Sequence, residues 1–249
     1  MPCVGTTELQ RSAMRSGVEK AVLTLALVAF FIAGYFFIGH ATDSSRAREL
    51  TTPLDRWIPF VPASIWVYLW MLPAALIPLF AVRCQDLFRR TYLAYAIAIA
   101  ISLACFAAFP VTSLRLRVDP AALDVTRFAP WAVATLYALD PPYNLFPSLH
   151  LSIATLAAFS AWKADRRYGA ATFAGVALVA VSICTVKQHF LLDGIAGMAL
   201  AALTYAVVLR PYRPAAGVRP GSSWRGIVAY LVMIVLAYTG LYVAFRFRS

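Results

Sequence analysis

The chain has 249 residues, of which 61% are hydrophobic and only 13% are charged. Soluble domains carry about 25% charged residues, and a soluble helical bundle needs polar helix faces, so this composition predicts an all-α integral membrane protein. The net charge is +11. The Lys and Arg residues are spread over short connections rather than one patch, which argues against nucleic acid as a partner.

Apolar segments long enough to cross a bilayer, about 20 residues each, occur along the whole chain. We predict transmembrane helices over the ranges 20–39, 64–82, 91–110, 148–162, 170–187, 191–209 and 226–245. The polar residues 1–19 form a predicted cytoplasmic N-terminal tail. The Pro- and Gly-rich start of 210–249 is a predicted linker to a C-terminal transmembrane helix.

The basic residues favour alternate connections, which predicts a cytoplasmic N-terminus and an extracytoplasmic C-terminus. The four cysteines lie far apart and have neither disulfide nor metal-site spacing. The longest connection, 111–147, is predicted on the extracytoplasmic side. Within it, 130–139 is a candidate interfacial helix that Pro130 would start.

The segment 170–209 is apolar except near Lys187 to His189 and at Asp193. A single helix of this length would extend about 60 Å at ~1.5 Å per residue, twice the ~30 Å of the hydrocarbon core. We therefore predict that the chain folds back at the polar break. This brings the break to the same membrane face as 111–147 and the start of the span 148–162.

Pro147-Ser148 predicts a helix start with Ser148 as the N-cap. The N-terminus of a helix attracts an anion such as phosphate, because its N–H groups are unpaired and its dipole end is positive. His150 lies in the first turn, where it is a candidate to protonate a leaving oxygen. The alternative is an ordinary capped helix with an interfacial histidine.

His189 and Asp193 are four residues apart and share a face if a helix begins near His189. A carboxylate can then hold one imidazole nitrogen and leave the other free as a nucleophile or base. Two alternatives are an ion pair at a loop and a metal site to which His150 adds a ligand. Metal binding is less favoured, because no further thiolate or carboxylate partner is evident.

Cations at the same predicted face are candidate phosphate ligands, and we assign this role to Arg115 and Lys187. We assign Arg117 to lipid headgroups, which long basic side chains reach by snorkelling. Aromatic residues near the span ends are assigned to an interfacial belt. These residues are Trp66, Tyr68, Trp70, Tyr143 and Tyr242.

Together these features resemble the type-2 phosphatidic acid phosphatase superfamily of membrane lipid phosphatases and phosphotransferases. That family carries the motifs K-x6-R-P, P-S-G-H and S-R-x5-H-x3-D in this order. The second motif matches Pro147 to His150, and the third matches Ser182 to Asp193. The resemblance covers roughly residues 91–209.

Several positions depart from the family pattern. The first motif keeps Arg115 but has Ala108 and Leu116 at its lysine and proline positions. Leu149 replaces the glycine of the second motif, and Ile183 replaces the phosphate-binding arginine of the third. Lys187, two residues before His189, is a candidate to supply the missing positive charge.

The resemblance implies a six-helix lipid-phosphatase-type core within a transmembrane catalytic domain, 20–209, followed by a seventh helix. The stretches FPSLH and VKQHFLLD are most similar to the inositol phosphorylceramide synthase-like branch, which moves a phospho-headgroup between lipids. The substrate would be a membrane lipid phosphate or phospholipid, with a lipid hydroxyl as a possible acceptor. The expected location is a bacterial inner (cell) membrane with the site facing the extracytoplasmic side.

The implied mechanism uses no metal and no cofactor. His189 attacks phosphorus, Asp193 orients His189, and His150 protonates the leaving alkoxide. The implied ligands of the phosphoryl oxygens are Arg115, Ser148 and Lys187. Water then releases phosphate, or a lipid hydroxyl accepts the group.

Two other functions stay open at this point. A non-catalytic lipid transporter or scaffold with the same fold would explain the poor first motif and Ile183. An intramembrane serine protease built on Ser148 is less favoured, because Ser148 would need a base across the membrane and no G-x-S-G sequence surrounds it.

Overall fold

A computed structural model describes residues 6–214 and 221–248, and this part of the chain is helical without β-strands. The first residues of the predicted tail (1–5) and the middle of the predicted linker (215–220) lie outside the described residues, as does Ser249. The helices are α1 Thr6–Ala41, α2 Pro53–Trp57, α3 Ile65–Ala74, α4 Ile77–Ala81, α5 Gln85–Ala108, α6 Phe128–Leu139, α7 Leu149–Ala164, α8 Arg166–Thr185, α9 Leu191–Thr204 and α10 Trp224–Arg246.

Five helices of the described chain are long and apolar enough to cross a membrane. They are α1 from residue 16 onward, α5, α8, α9 with the π-helical turn Tyr205–Leu209, and α10. Their length and composition indicate an integral membrane protein and confirm the all-helical class.

Three predicted boundaries differ from the structure. The segment 64–82 is not one helix, because Pro73 removes a backbone donor and the chain continues as the separate helix α4. The first helix begins at Thr6, well inside the predicted tail. Helix α6 begins at Phe128, so Pro130 lies within its first turn rather than at its start.

Helix α7 lies at the centre of the bundle and packs against α4, α5, α8 and α9. Its sequence is rich in Ala and Ser, and small side chains let neighbouring helix backbones approach closely. Ala157 and Ala158 are fully buried. Ser160 shares a 2.7 Å hydrogen bond with Thr91 of α5. The helix that carries the second motif is therefore held on several sides by protein.

Helices α1 and α10 lie at the periphery, where only 11% and 6% of their apolar windows are buried. Helix α1 packs on α5, and α10 packs on α4 and α6. At one end of the bundle the connections bond to each other: Arg48 N–H donates to Pro110 O at 2.9 Å, and Val61 N–H donates to Thr185 O at 2.9 Å. The motif residues lie at this end.

Candidate active site

Two histidines from different elements meet at this end of the bundle. His150 is in the first turn of α7, and His189 is in the connection 186–190 between α8 and α9. His150 Nδ1 lies 2.9 Å from His189 Nε2. His189 is buried and His150 is half-buried. The chain folds back at the polar break as predicted, and this brings the second and third motifs into contact.

Asp193 lies behind His189 in the first turn of α9. Its Oδ2 is 3.4 Å from His189 Nδ1 and accepts a 3.0 Å hydrogen bond from the backbone N–H of Phe190. The first distance is longer than the 2.7–3.2 Å of an ordinary N–H···O bond, and catalytic hydrogen bonds commonly tighten when substrate binds. The side chain is fully buried. The helix terminus therefore fixes the carboxylate on the far side of the His189 ring.

Tyr68 of α3 extends this row of groups, since its hydroxyl lies 3.0 Å from His150 Nε2. The sequence predicted Tyr68 in an interfacial aromatic belt, but its side chain is buried in the protein. If Asp193 is ionised, His189 Nδ1 carries a proton and His189 Nε2 is an acceptor. His150 Nδ1–H then donates to it, and Tyr68 can donate to a neutral His150 or accept from a protonated one.

Ser148 is the N-cap of α7, as predicted. Its Oγ accepts from Leu151 N–H at 3.4 Å, and its own N–H donates to the backbone oxygen of Asp193 at 2.9 Å. The helix N-terminus therefore lies beside the row formed by Asp193, His189 and His150. This is the arrangement expected of an anion site at a helix N-terminus.

Helices α7 and α9 approach each other closely behind the histidines. Ser152 Oγ donates to Ser148 O at 2.9 Å and to Gly197 O at 3.0 Å. A Cβ atom at Gly197 would lie only 2.3 Å from Ser148 O. Glycine at this position permits the helix spacing that brings the two motifs together.

The two arginines of the connection 109–127 occupy different environments from those predicted. The Arg115 side chain is 86% exposed and pairs with Glu49 at 3.3 Å. The Arg117 side chain is 7% exposed and donates to the carbonyl oxygens of Tyr137 and Asp140 at 3.0 and 3.1 Å. Arg115 therefore contacts an acidic partner at the surface, whereas Arg117 is buried and does not reach toward headgroups.

Lys187 has a positive φ of 57°. Its side chain contacts backbone oxygens near α2, not the predicted phosphate site. Its Nζ donates to the backbone oxygens of Asp55 and Ile58, at 3.2 and 2.5 Å. The Asp55 carboxylate in turn accepts from Leu191 N–H at 2.8 Å. These bonds tie α2 to the connection that carries His189. Among the predicted site residues, the structure thus brings together Ser148, His150, His189 and Asp193, but gives Arg115 and Lys187 other partners.

Asp140 is a site residue that the sequence did not single out. Its carboxylate accepts from Tyr35 at 2.8 Å and from Gln188, and it lies 3.6 Å from Arg117. Burial raises the pKa of Asp140, whereas the Tyr35 hydrogen bond and the charge of Arg117 act to lower it. Burial likewise lowers the pKa of Arg117, and the charge of Asp140 opposes that shift. A buried pair of opposite charges therefore flanks the histidine pair.

The part of the chain that the structure describes holds no group of three or more His, Cys, Asp or Glu side chains arranged to bind a metal ion. Arg117 Nε is buried and has no hydrogen-bond partner among those residues. The arrangement is suited to phosphoryl transfer, because a nucleophilic nitrogen, an acid and a helix N-terminus converge.

Comparison with known proteins gives one family match. The model of the PAP2 superfamily, the type-2 phosphatidic acid phosphatases, matches residues 50–207. No curated protein and no solved structure matches the chain. The matched range includes α2 to α9 and excludes α1 and α10. Because it covers more than half of the chain and includes both histidines and Asp193, the chain belongs to the PAP2 superfamily, whose members are mostly phosphatases.

Proposed function

We propose that this protein is a membrane enzyme that cleaves a phosphoester of a lipid phosphate or phospholipid through a phosphohistidine at His189. The row Asp193–His189–His150, with contacts of 3.4 and 2.9 Å, is the observation that carries the proposal. Family membership supports a phosphate-containing substrate, and the five apolar helices support a substrate that resides in the membrane.

In the first step the substrate separates the His150 N–H from His189 Nε2. The lone pair of His189 Nε2, now released, forms a bond to phosphorus, and the bond from phosphorus to the lipid oxygen breaks. His150 enters this step as the imidazolium. The leaving oxygen keeps the electron pair of the broken bond and takes a proton from His150, which is left neutral. Asp193 holds the Nδ1 proton of His189, so that Nε2 is the nucleophilic atom and the positive charge on the ring is compensated.

In the second step an acceptor hydroxyl attacks the phosphohistidine. Its oxygen forms the new bond to phosphorus while its proton passes to neutral His150, and the N–P electron pair returns to His189. Water as acceptor releases phosphate, and a lipid hydroxyl as acceptor receives the phospho-headgroup. The similarity of FPSLH and VKQHFLLD to the inositol phosphorylceramide synthase-like branch favours transfer to a lipid.

Charge on the phosphoryl oxygens must be stabilised as the bonds change. Ser148 and the free N–H groups of the first turn of α7 suit this role. We add Arg117 to the candidates, since its Nε is buried without a partner among the described residues. Arg115 and Lys187 stay candidates from the motif comparison, each of which would have to leave its present partner. The proposal places the site on the extracytoplasmic side.

The test compares purified His189→Ala, His150→Ala and His40→Ala with the wild type. A panel of lipid phosphates and phospholipid donors is assayed with a chelator present, and a labelled phosphoenzyme is trapped and tested for acid lability. His40 is the matched control, because it is exposed at the end of α1 and bonds to the Phe36 carbonyl. We expect no phosphoenzyme in H189A and slow turnover in H150A. Undiminished turnover of H189A would refute the mechanism, and activity lost with the chelator would indicate a metal site.

A non-catalytic transporter or scaffold is the second candidate. The observation that favours it is Ile183, which replaces the third-motif arginine and is completely buried in an apolar cluster. This alternative predicts lipid binding or flux that persists in both histidine variants, without phosphoenzyme in the wild type.

A further inference from the structure

Helix α1 lies outside the residues that match the superfamily, yet it contacts the candidate site directly. The Tyr35 hydroxyl donates to Asp140 at 2.8 Å, and Asn144 Nδ2 donates to the Tyr35 carbonyl at 2.7 Å. Two hydrogen bonds thus attach α1 to the loop that leads into α7. A helix needed only as a membrane anchor would not require these contacts.

A cavity of about 400 Å³ lies between α1 and the inner helices α5 and α7. Its walls are mostly apolar. At one end it reaches His150, Asp140 and Tyr35, and at the other end it is bordered by Thr24 and Tyr92. The last two side chains share a 2.9 Å hydrogen bond that joins α1 to α5. The cavity therefore has one polar end at the candidate site and a floor deep in the bundle.

The dimensions of this cavity match part of a lipid. From Tyr35 to Thr24, α1 extends about 17 Å at ~1.5 Å per residue. This is about half of the ~30 Å hydrocarbon thickness of a bilayer, the depth of one leaflet. A volume of this size falls within the usual range for ligand pockets. An extended hydrocarbon chain fits such a cavity with its polar group at His150.

The charges at the polar end give the ligand a direction. The Asp140 carboxylate lies at the wall of the cavity and repels an anion, whereas the N-terminus of α7 attracts one. The phosphate is therefore favoured on the His189 side and the hydrocarbon on the α1 side, which leaves the scissile oxygen near His150.

We propose that α1 is a substrate-specificity element that completes a binding cavity for one hydrocarbon chain of the lipid substrate. The proposal rests on the proposed function for the position of the phosphate. It goes beyond that function by assigning selection of the chain to a helix outside the superfamily match. The Thr24–Tyr92 pair sets the longest chain that the cavity accepts in full.

The test measures binding of monoalkylphosphonates of increasing chain length, whose P–C bond cannot be cleaved. Each methylene that enters the cavity contributes ~0.8 kcal/mol, which is about a fourfold increase in affinity, until the chain reaches the floor. Leu27→Trp fills the cavity one turn above Thr24. Leu25→Trp is the matched control, because Leu25 is on the same helix, is 69% exposed and does not line the cavity.

We expect L27W to end the increase at a shorter chain and to lower affinity for the longest chains more than tenfold, since several methylenes are displaced. L25W should bind like the wild type, and Thr24→Ala, which removes one side of the floor, should extend the increase to longer chains. A given ligand partitions into detergent to the same extent whichever variant is present. Differences in affinity between variants therefore report binding to the protein. Affinities that do not depend on chain length, or an equal change in L27W and L25W, would overturn the proposal.

Failure of the proposed function would be seen separately. The same series is measured in the His189→Ala background, where no phosphohistidine can form at that residue. Chain-length dependence that persists there supports the cavity whatever the turnover of H189A. If the wild type forms phosphohistidine but its affinity does not depend on chain length, the cavity proposal alone is overturned. If L27W does not fold, the Thr24→Ala series decides the question, because the absence of a shift to longer chains in that variant would contradict the assignment of the floor.

Discussion

The close contact of α7 and α9 makes Gly197→Ala a sharp test of the site geometry. An added Cβ would lie 2.3 Å from the backbone oxygen of Ser148. Non-bonded carbon contacts are favourable only near 3.5–4.0 Å, so the two backbones must separate by about 1 Å. Neither atom belongs to a flexible side chain that can move aside.

This separation acts directly on the candidate catalytic row. Helix α7 carries His150, whereas α9 carries Asp193 and directly follows His189. A shift of about 1 Å opens the 2.9 Å contact between the histidines. Misplacement of this size can cost ~10²-fold in rate, and overpacking costs about 1–3 kcal/mol in stability. We therefore expect kcat/KM to fall about 100-fold in G197A, with a lower unfolding temperature.

Gly194→Ala is the matched control in the same helix. It is closer in sequence to Asp193, but its Cβ would meet the end of the Leu151 side chain at 3.1 Å and that of Ile183 at 3.6 Å. These side chains can yield by a few tenths of an ångström. Turnover of the best lipid phosphate and thermal unfolding in detergent are measured for both variants. Wild-type turnover in G197A, or an equal loss in G194A, would refute the reasoning.

Three further substitutions test individual contacts. Asp193→Asn removes the charge that compensates the His189 ring, so kcat should fall by about 10²–10⁴ with little change in KM in steady-state assays. Arg117→Met should lower kcat about 10²-fold, whereas the exposed Arg115→Met should stay within about twofold; the reverse order would favour the motif-based assignment. Asp55→Asn weakens the cap on α9 and should cost about 1–2 kcal/mol, seen as a lower unfolding temperature, and an unchanged temperature would contradict that role.

The contact between the second and third motifs could be predicted, because it follows from lengths of apolar segments along the chain. Apolar length compared with bilayer thickness required a reversal near 187–193, and α8 indeed ends at Thr185 while α9 begins at Leu191. Ser148 as N-cap also follows from local chemistry, since a proline and a serine precede an apolar run. The break at Pro73 could not be predicted in this way, because a long apolar run with a single proline is also typical of one continuous transmembrane helix.

The environments of Arg115 and Arg117 could not be predicted from their neighbours. The two residues are similar in sequence context, and only contacts with distant segments distinguish them. Arg117 is held by Tyr137 and Asp140, which lie at the end of α6. Its burial depends on how the connection 109–127 packs against that helix. The same limit applies to Tyr68, since its position near the end of a predicted span does not reveal that its hydroxyl faces His150.

Leu149 and Ile183, the residues that depart from the second and third motifs, are both buried in apolar surroundings. Leu149, at the glycine position, is buried and lines the cavity that α1 completes. Ile183, at the arginine position, is fully buried in the apolar cluster of α3, α6, α7 and α8, where a guanidinium without a partner would be costly. The buried Arg117, which we propose above as a phosphate ligand, is the candidate to supply the missing charge, since it lies 3.6 Å from the Asp140 carboxylate beside the histidine pair. On this proposal the changes at 149 and 183 alter the surroundings of the phosphate, whereas the row Asp193–His189–His150 is kept.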